Sequence, residues 1–414
     1  MLCDQQNLTL PTAFMHDNNL QLPFWEGFSI WNFDRRSDGV WISLVPIPDS
    51  DARCSNCSAI CPRVHGRYWR TVRDMTLLGE PVWLQVNLRR VRCAGCGTCA
   101  EQINWLDRHA RVTRRLAQFV GLWCEKLPVS HVCQLTGLHW ETVRRIERTR
   151  LIEQLATLPV AQPSKLVMDE FALFKGHRYA TVVLDADTRQ VLWVGEGRSR
   201  EAVRPFFEWL GVERCQQIEA VAMDMNTAFD LEVQRHCPRA RIVYDLFHVV
   251  AKYGREVIDR VRVDEANGLK HDKSARQKVK RGRWLLLRNP ENVPEEQRPK
   301  LEELLAANKA LMTTYIMKTS LKELWQPSGA WQWRCRWKTW LRMAAESEIE
   351  SLSRFARRLK TYWRGILARV RWPMHTGQLE GINNRIKVMK RMAYGYRDSD
   401  FFFLKIKAAF PGNP

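Results

Sequence analysis

The stretch Leu166-Val-Met-Asp-Glu-Phe-Ala-Leu173 decides the reading of this chain. It is an apolar run of strand length with carboxylates in its middle. A carboxylate placed there is costly unless it binds something positive. Working downstream, Tyr179 to Leu184 and Val191 to Val194 read as two more strands, with Thr188 in the turn between them. Ala202 to Leu210 is an amphipathic helix, Ile218 to Met223 a fourth strand, Ala228 to His236 a helix and Ile242 to Tyr244 a short fifth strand.

Three sequential strands, then helix, strand, helix and strand, is the order of an RNase H-like domain. Its first and fourth strands are neighbours, so Asp169 and Asp224 are expected to approach each other at one end of the sheet. Two such carboxylates repel unless a cation lies between them, and magnesium takes carboxylate oxygens readily. Taken singly, each aspartate reads equally well as a strand-end cap. Asp245 also ends a strand and rivals Asp224; Asp185 and Asp187, in a turn-like Asp-Ala-Asp-Thr, are poorer rivals.

From about 250 to 375 the chain turns helical, basic and rich in tryptophan, with Ala251 to Val263 and Leu301 to Thr319 the clearest helices. Trp331, Trp333, Trp337 and Trp340 lie among Arg334, Arg336 and Lys338, and read as a helical core with basic rims or as a platform for unpaired bases. Gln378 to Met392 is a helix on which Leu379, Ile382, Ile386 and Met389 face the core. Glu380, Asn384, Lys387 and Arg391 recur on an adjacent face, with Lys390 beside them. That suits a metal ligand beside a phosphate track, although a glutamate near a helix start also favours the dipole.

Upstream, Cys54-Ser-Asn-Cys57 and Cys93-Ala-Gly-Cys96 form two C-x-x-C pairs across a spacer with strand alternation at Val82, Leu84, Val86 and Leu88. Two knuckles meeting across a small sheet supply four thiolates for tetrahedral zinc. Buried free thiols or a redox pair are the alternatives, and Cys61, Cys99 and, more weakly, His65 compete as ligands. Leu116, Phe119, Val120, Leu122 and Trp123 build a helical face. Val129 to Leu135, a turn at Gly137 and a helix from His139 to Arg150 resemble a helix-turn-helix, whose second helix enters the major groove. Arg144, Arg145 and Arg148 would line that helix. A helical hairpin with a solvated basic face is the plain alternative.

With 65 Lys and Arg against 45 Asp and Glu among 414 residues, the formal charge is +20, which calls for a polyanionic partner such as duplex DNA. No apolar run approaches the roughly 18 residues that span a bilayer. Met1 to Asn19 is polar and reads as no secretory leader, so a reducing cytoplasm is expected. There structural disulfides are rare, so the 12 cysteines need another explanation, and half of them fall in two tight clusters.

At these residues the chain resembles the DDE transposases of the ISL-three group of bacterial insertion sequences. The resembling stretches are Met168-Asp-Glu-Phe-Ala with Lys175-Gly-His177, Ala222-Met-Asp-Met225 and Asp245-Leu-Phe-His248. The longest is Gly377-Gln-Leu-Glu-Gly-Ile-Asn-Asn-Arg-Ile-Lys387 with Arg391-Met-Ala-Tyr-Gly-Tyr-Arg397. The resemblance implies a multidomain α/β chain with a zinc ribbon, a helix-turn-helix, and an RNase H-like core interrupted by helices. It implies Asp169, Asp224 and Glu380 as a catalytic triad holding Mg²⁺ or Mn²⁺, with Zn²⁺ at the N-terminal cysteines. The expected division is an arm over 1–45, a zinc-binding ribbon over 46–107 and a helix-turn-helix over 108–158. The catalytic domain is expected over 164–408. The expected activity is that of a polynucleotidyl transferase acting on double-stranded DNA as a homodimer or larger assembly, cytoplasmic and on the nucleoid when bound. A DNA-binding regulator with an inactive core, or a nuclease that cuts without joining, are the alternatives.

Overall fold

The computed structural model describes residues 22–174, 176, 178–324, 329–374 and 377–413. Lys175 and His177 lie outside them. The chain forms two compact units, Met1–Glu153 and Gln154–Pro414.

The first unit is built on strands β1 (Phe28–Arg36), β2 (Gly39–Pro46), β3 (Val64–Leu77), β4 (Glu80–Cys93) and β5 (Gly97–Ala100). Their order is β1-β2-β4-β3, with β5 paired to β4. Alternation sets the faces: Val40, Ile42 and Leu44 of β2 and Val82, Leu84, Val86 and Leu88 of β4 are buried, with Trp25, Phe28 and Leu106 in the same core. The arm expected over 1–45 is therefore corrected from Phe28 onward, where it is a hairpin of the sheet. Apolar residues on β2 had a strand partner in β4, 42 residues away, which local patterning cannot reveal.

Three helices follow: α1 (Arg114–Cys124), α2 (Val129–Thr136) and α3 (Trp140–Ala156). Thr113 caps α1, and Gly137 closes α2 at φ 66°, a left-handed position that glycine adopts without strain. The sheet and these helices share one polar anchor. Asp74, 1% exposed, accepts hydrogen bonds from Trp25 Nε1 (2.9 Å) and Thr113 Oγ1 (2.7 Å) and pairs with Arg115, which together hold its carboxyl below the usual range despite burial. That anchor joins the ribbon and the helical module in one unit, where sequence suggested two.

The second unit holds β6 (Lys165–Phe174), β7 (Arg178–Asp185), β8 (Val191–Glu196), α4 (Arg200–Leu210), α5 (Val212–Gln217), β9 (Ala220–Met223), α6 (Thr227–His236) and β10 (Arg241–Tyr244). The sheet order is β10-β9-β6-β7-β8, antiparallel across β6-β7-β8 and parallel across β6-β9-β10, which is the RNase H-like arrangement.

Then come α7 (Leu246–Tyr253), a π-helical turn at Gly254–Ile258, α8 (Asp259–Gly268), α9 (Lys273–Arg281), α10 (Arg283–Leu287) and α11 (Arg298–Ala306). The remaining helices are α12 (Lys309–Glu323), α13 (Ala330–Glu346), α14 (Glu350–Thr361), α15 (Trp363–Ala368), α16 (Gly377–Met392) and α17 (Ser399–Ala409). The single helix expected over Leu301 to Thr319 is broken at Asn308, whose side chain accepts the Leu311 N–H (2.8 Å) and so starts α12. One face of the sheet shares a core with this helical region, from Met168 and Met223 through Phe206 to Trp333 and Phe355. The other face packs Val167 and Ala222 against Leu379, Ile382 and Ile386 of α16 and Phe402 and Ile406 of α17. Among the described residues no helix is long and apolar enough to cross a membrane.

Candidate active site

The parallel register builds the site. Val167 of β6 faces Ala222 of β9, and Val243 of β10 faces the same Ala222. Two residues further along the chain stand Asp169, within β6, and Asp224 and Asp245, each the first residue past the end of its strand, so three aspartates sit at matching positions on three neighbouring segments. Period two returns Asp169 to the face of Val167, which is the face α16 covers. From α16, Asn383 Nδ2 donates to Asp169 Oδ2 at 2.8 Å, while the Glu170 backbone N–H donates to Oδ1 at 2.8 Å. Glu380 lies one helical turn before Asn383, and both line a groove of about 1070 Å³ with Asp169, Asp245 and His248. The helix that carries Glu380 is thus fastened to the first aspartate.

Asp224 is tied in by His248, whose Nδ1 lies 3.4 Å from its Oδ2, and its Oδ1 accepts the Met225 N–H at 2.6 Å. Its side chain keeps 42% exposure. Asp245 differs. It is buried, caps α7 by accepting the Phe247 N–H (3.3 Å), and lies 3.8 Å from Arg369. A carboxylate so occupied is a poorer ligand than Asp224. Asp185 and Asp187 belong to the opposite end of the sheet; Asp185 is buried and accepts the Asp187 N–H, and Asp187 pairs with Lys165 at 3.0 Å.

Burial pushes the Asp169 carboxyl above its ordinary range; the Asp224 charge pushes it further, and the Glu170 N–H and His248 oppose the rise. The pair therefore carries repulsion that a cation would relieve. Among the described residues, the group of three or more His, Cys, Asp or Glu side chains placed to hold a metal ion is the four cysteines below.

Cations ring the same groove: Arg255, Arg283, Lys322, Arg369 and Lys387. Lys390 reaches the Ala172 carbonyl at 3.2 Å and lies beside the Phe174 ring, and Arg391 is exposed one residue on. The tryptophans of α13 divide. Trp333, Trp337 and Trp340 are buried in a stacked row, with the Trp333 and Trp340 indoles donating to the Leu324 and Met317 carbonyls, whereas Trp331 is exposed. The core reading holds for those three.

In the first unit, Cys54, Cys57, Cys93 and Cys96 place their sulfurs within 4.8 Å of one another. A tetrahedral zinc with sulfur at 2.3 Å needs sulfurs about 3.8 Å apart, so the set fits. Backbone N–H groups pull Cys54 down to about 6, led by that of Asn56, while the neighbouring thiols of Cys57 and Cys54 push Cys96 up to about 12, the signature of four thiols competing for one negative charge. Cys99 Sγ lies 3.3 Å from Cys54 Sγ, outside that mutual set; Cys61 turns its thiol to the Ala59 carbonyl, and His65 is exposed.

On α3, Val143, Glu147 and Leu151 are buried, and Arg145 and Arg148 face outward. Arg144 stacks over Trp140 and lies 3.6 Å from Glu141. The three arginines, with Arg111, His139 and Thr142, border one hollow.

Asn383 was not singled out from sequence. The available signal was an amide four residues after Leu379 and three before Ile386, on the face that the apolar residues bury.

Residues 166–406 match a transposase family, residues 101–150 the helix-turn-helix domain of transposase family ISL3, and residues 50–96 the zinc finger of transposase IS204/IS1001/IS1096/IS1165. The chain is 49% identical over 393 residues to the transposase for insertion sequence element IS1001 of Bordetella parapertussis, covering 94% of this chain and 97% of that one. It is 27% identical over 375 residues to the transposase for insertion sequence element IS1557 of Mycobacterium tuberculosis, covering 83% and 82%.

Proposed function

This chain belongs to the ISL3 family of transposases and is a DDE-type DNA transposase, and we propose that Asp169, Asp224 and Glu380 are the groups with which it cuts the ends of its insertion sequence and joins them to target DNA. The observation that carries this assignment is the parallel β6–β9 register, which puts Asp169 and Asp224 each two residues past the Val167–Ala222 pair, with the Glu380 helix fastened to Asp169 through Asn383.

The three carboxylates would hold two divalent ions, Mg²⁺ or Mn²⁺, which when bound make water a nucleophile and stabilise a leaving 3′ oxygen. Asn383 and the Glu170 N–H fix the orientation of Asp169, and His248 orients Asp224. Lys387, Lys390 and Arg391 on α16 neutralise phosphates along the groove. In the first reaction water oxygen attacks the phosphorus at the element's end and the 3′ oxygen leaves as a hydroxyl. In the second that hydroxyl attacks a target phosphodiester, whose own 3′ oxygen leaves. No protein nucleophile is consumed, so no covalent protein–DNA bond is required.

Cys54, Cys57, Cys93 and Cys96 hold zinc in this proposal, and Arg144, Arg145 and Arg148 read the terminal repeats from α3. Pairing two DNA ends calls for at least a dimer. With such a substrate the enzyme works in the bacterial cytoplasm, on the nucleoid. Mn²⁺-dependent cleavage and joining of a labelled element end by Asp169→Ala, Asp224→Ala and Glu380→Ala tests the triad. Each is expected to lose both reactions while still binding the duplex; undiminished cleavage by any one removes that residue.

A further inference from the structure

The outward face of the N-terminal sheet carries aromatic residues that neither the zinc site nor α3 uses. Trp69 projects from that face, because it pairs with Asn87 of β4, one step out of phase with the buried Val86 and Leu88. Trp31 sits at the irregularity between Ile30 and Asn32 in β1, where the extra residue of a bulge re-aims its side chain. The two indoles lean together from opposite edges of the sheet, with ring centroids 6.3 Å apart and planes inclined by 31°. They are 60% and 49% exposed. Among the described residues neither indole N–H finds a hydrogen-bond partner. The other outward pair, Trp41 and Trp83, is already used: it is stacked at 5.7 Å and sandwiched by Arg36 and Arg73.

We propose that Trp31 and Trp69 form a stacking site for an unpaired base of single-stranded DNA. Two exposed indoles offer π-faces and N–H donors to an incoming group, and unpaired bases offer matching faces and acceptors. At 6.3 Å and 31° the two rings pack on one another, so a base would stack on their exposed outer faces. The charge also suits a nucleotide. Arg67 is exposed two residues before Trp69 on the same face, and the acid among the outward strand positions, Asp34, is held by Arg36 at 2.8 Å. Asn87, the cross-strand neighbour of Trp69, has a buried Oδ1 that accepts no hydrogen bond among the described residues.

This inference rests on the DNA-processing reading above, and the test separates the two. The full-length protein is titrated with an element-end duplex bearing a short thymidine overhang, with the same duplex carrying abasic sites in the overhang, and with the blunt duplex. Wild type is expected to prefer the thymidine overhang to the abasic one. Trp31→Ala with Trp69→Ala is expected to lose about 5-fold to about 100-fold of that preference, while blunt-duplex affinity and zinc content stay unchanged. Trp31→Phe with Trp69→Phe should keep most of the preference. A 5-iodouridine in the overhang should photocrosslink to the peptides bearing Trp31 and Trp69. Equal binding of both overhangs by wild type, or a preference untouched in the alanine variant, overturns the stacking site and leaves the transposase assignment intact. A changed sedimentation coefficient in the alanine variant with unaltered overhang binding would overturn it in favour of a contact between copies. Failure to bind even the blunt duplex would strike the DNA-processing reading itself.

Discussion

Replacing Asn383 with alanine tests whether the helix that carries Glu380 is tied to Asp169, the proposed catalytic aspartate. The Asn383 amide donates to Asp169 at 2.8 Å from a side chain only 8% exposed, so water cannot readily substitute for it. A hydrogen bond to a charged group contributes about 1.5–3 kcal/mol. At about 1.4 kcal/mol per factor of ten, complete loss would slow cleavage about 10-fold to about 150-fold. Asp169 keeps its second anchor, the Glu170 N–H at 2.8 Å, so the lower part of that range is expected, about 10-fold to 30-fold. Stability should change by less than about 1 kcal/mol, because the substitution also removes the Asn383 Oδ1, a buried acceptor with no partner among the described residues. Single-turnover cleavage of a labelled element end, measured across a Mn²⁺ series, should show a lower plateau and a midpoint moved to higher Mn²⁺. Asn383→Asp should be worse, since it places a third carboxylate against Asp169. Rates within 2-fold of wild type throughout the series, in either variant, would refute the tether.

Asp230 offers a pH test. Burial raises its carboxyl from 3.8 to about 6, with Asp224 adding to the rise and the Tyr244 hydroxyl, which donates at 2.7 Å, opposing it. Between those values the folded state binds the extra proton, so the native protein loses stability as pH rises from about 4 to 6. Asp230→Asn should therefore stabilise at pH 7 by about 1–2 kcal/mol after discounting for partial solvation, with the gain vanishing below pH 4 in denaturant titrations; a gain that is constant with pH contradicts the assignment. Cys54→Ser or Cys93→Ser should strip zinc in elemental analysis and unfold the first unit, whereas Cys61→Ser should retain it; zinc loss from Cys61→Ser alone would redraw the ligand set. Arg145→Ala and Arg148→Ala should each lower the slope of log affinity against log salt by about one for element-end DNA, and an unchanged slope removes that residue from the phosphate contacts. Trp333→Ala, which empties a buried stacked position, should cost about 3–5 kcal/mol in thermal denaturation, against under about 0.5 kcal/mol for the exposed Trp331→Ala.

Much of this protein is written locally. The strands around Asp169, the two C-x-x-C pairs, the Gly137 turn and the apolar face of α16 follow from periodicity and turn chemistry, which depend on neighbours a few residues away. The charge of +20 likewise announces a polyanionic partner without any fold. What tertiary structure alone decided are the relations between distant segments. The parallel register of β6, β9 and β10 lines up three aspartates, and the burial of Asp245 under its cap and Arg369 separates it from Asp224. The Asn383 bond to Asp169 spans 214 positions. The strands at Phe28–Arg36 and Gly39–Pro46 look like an arm until β4 supplies the edge to pair with. Sequence patterns report which face of an element is apolar, because that is a property of the element itself. They do not report which other face covers it, because that choice is made by the packing of the whole chain.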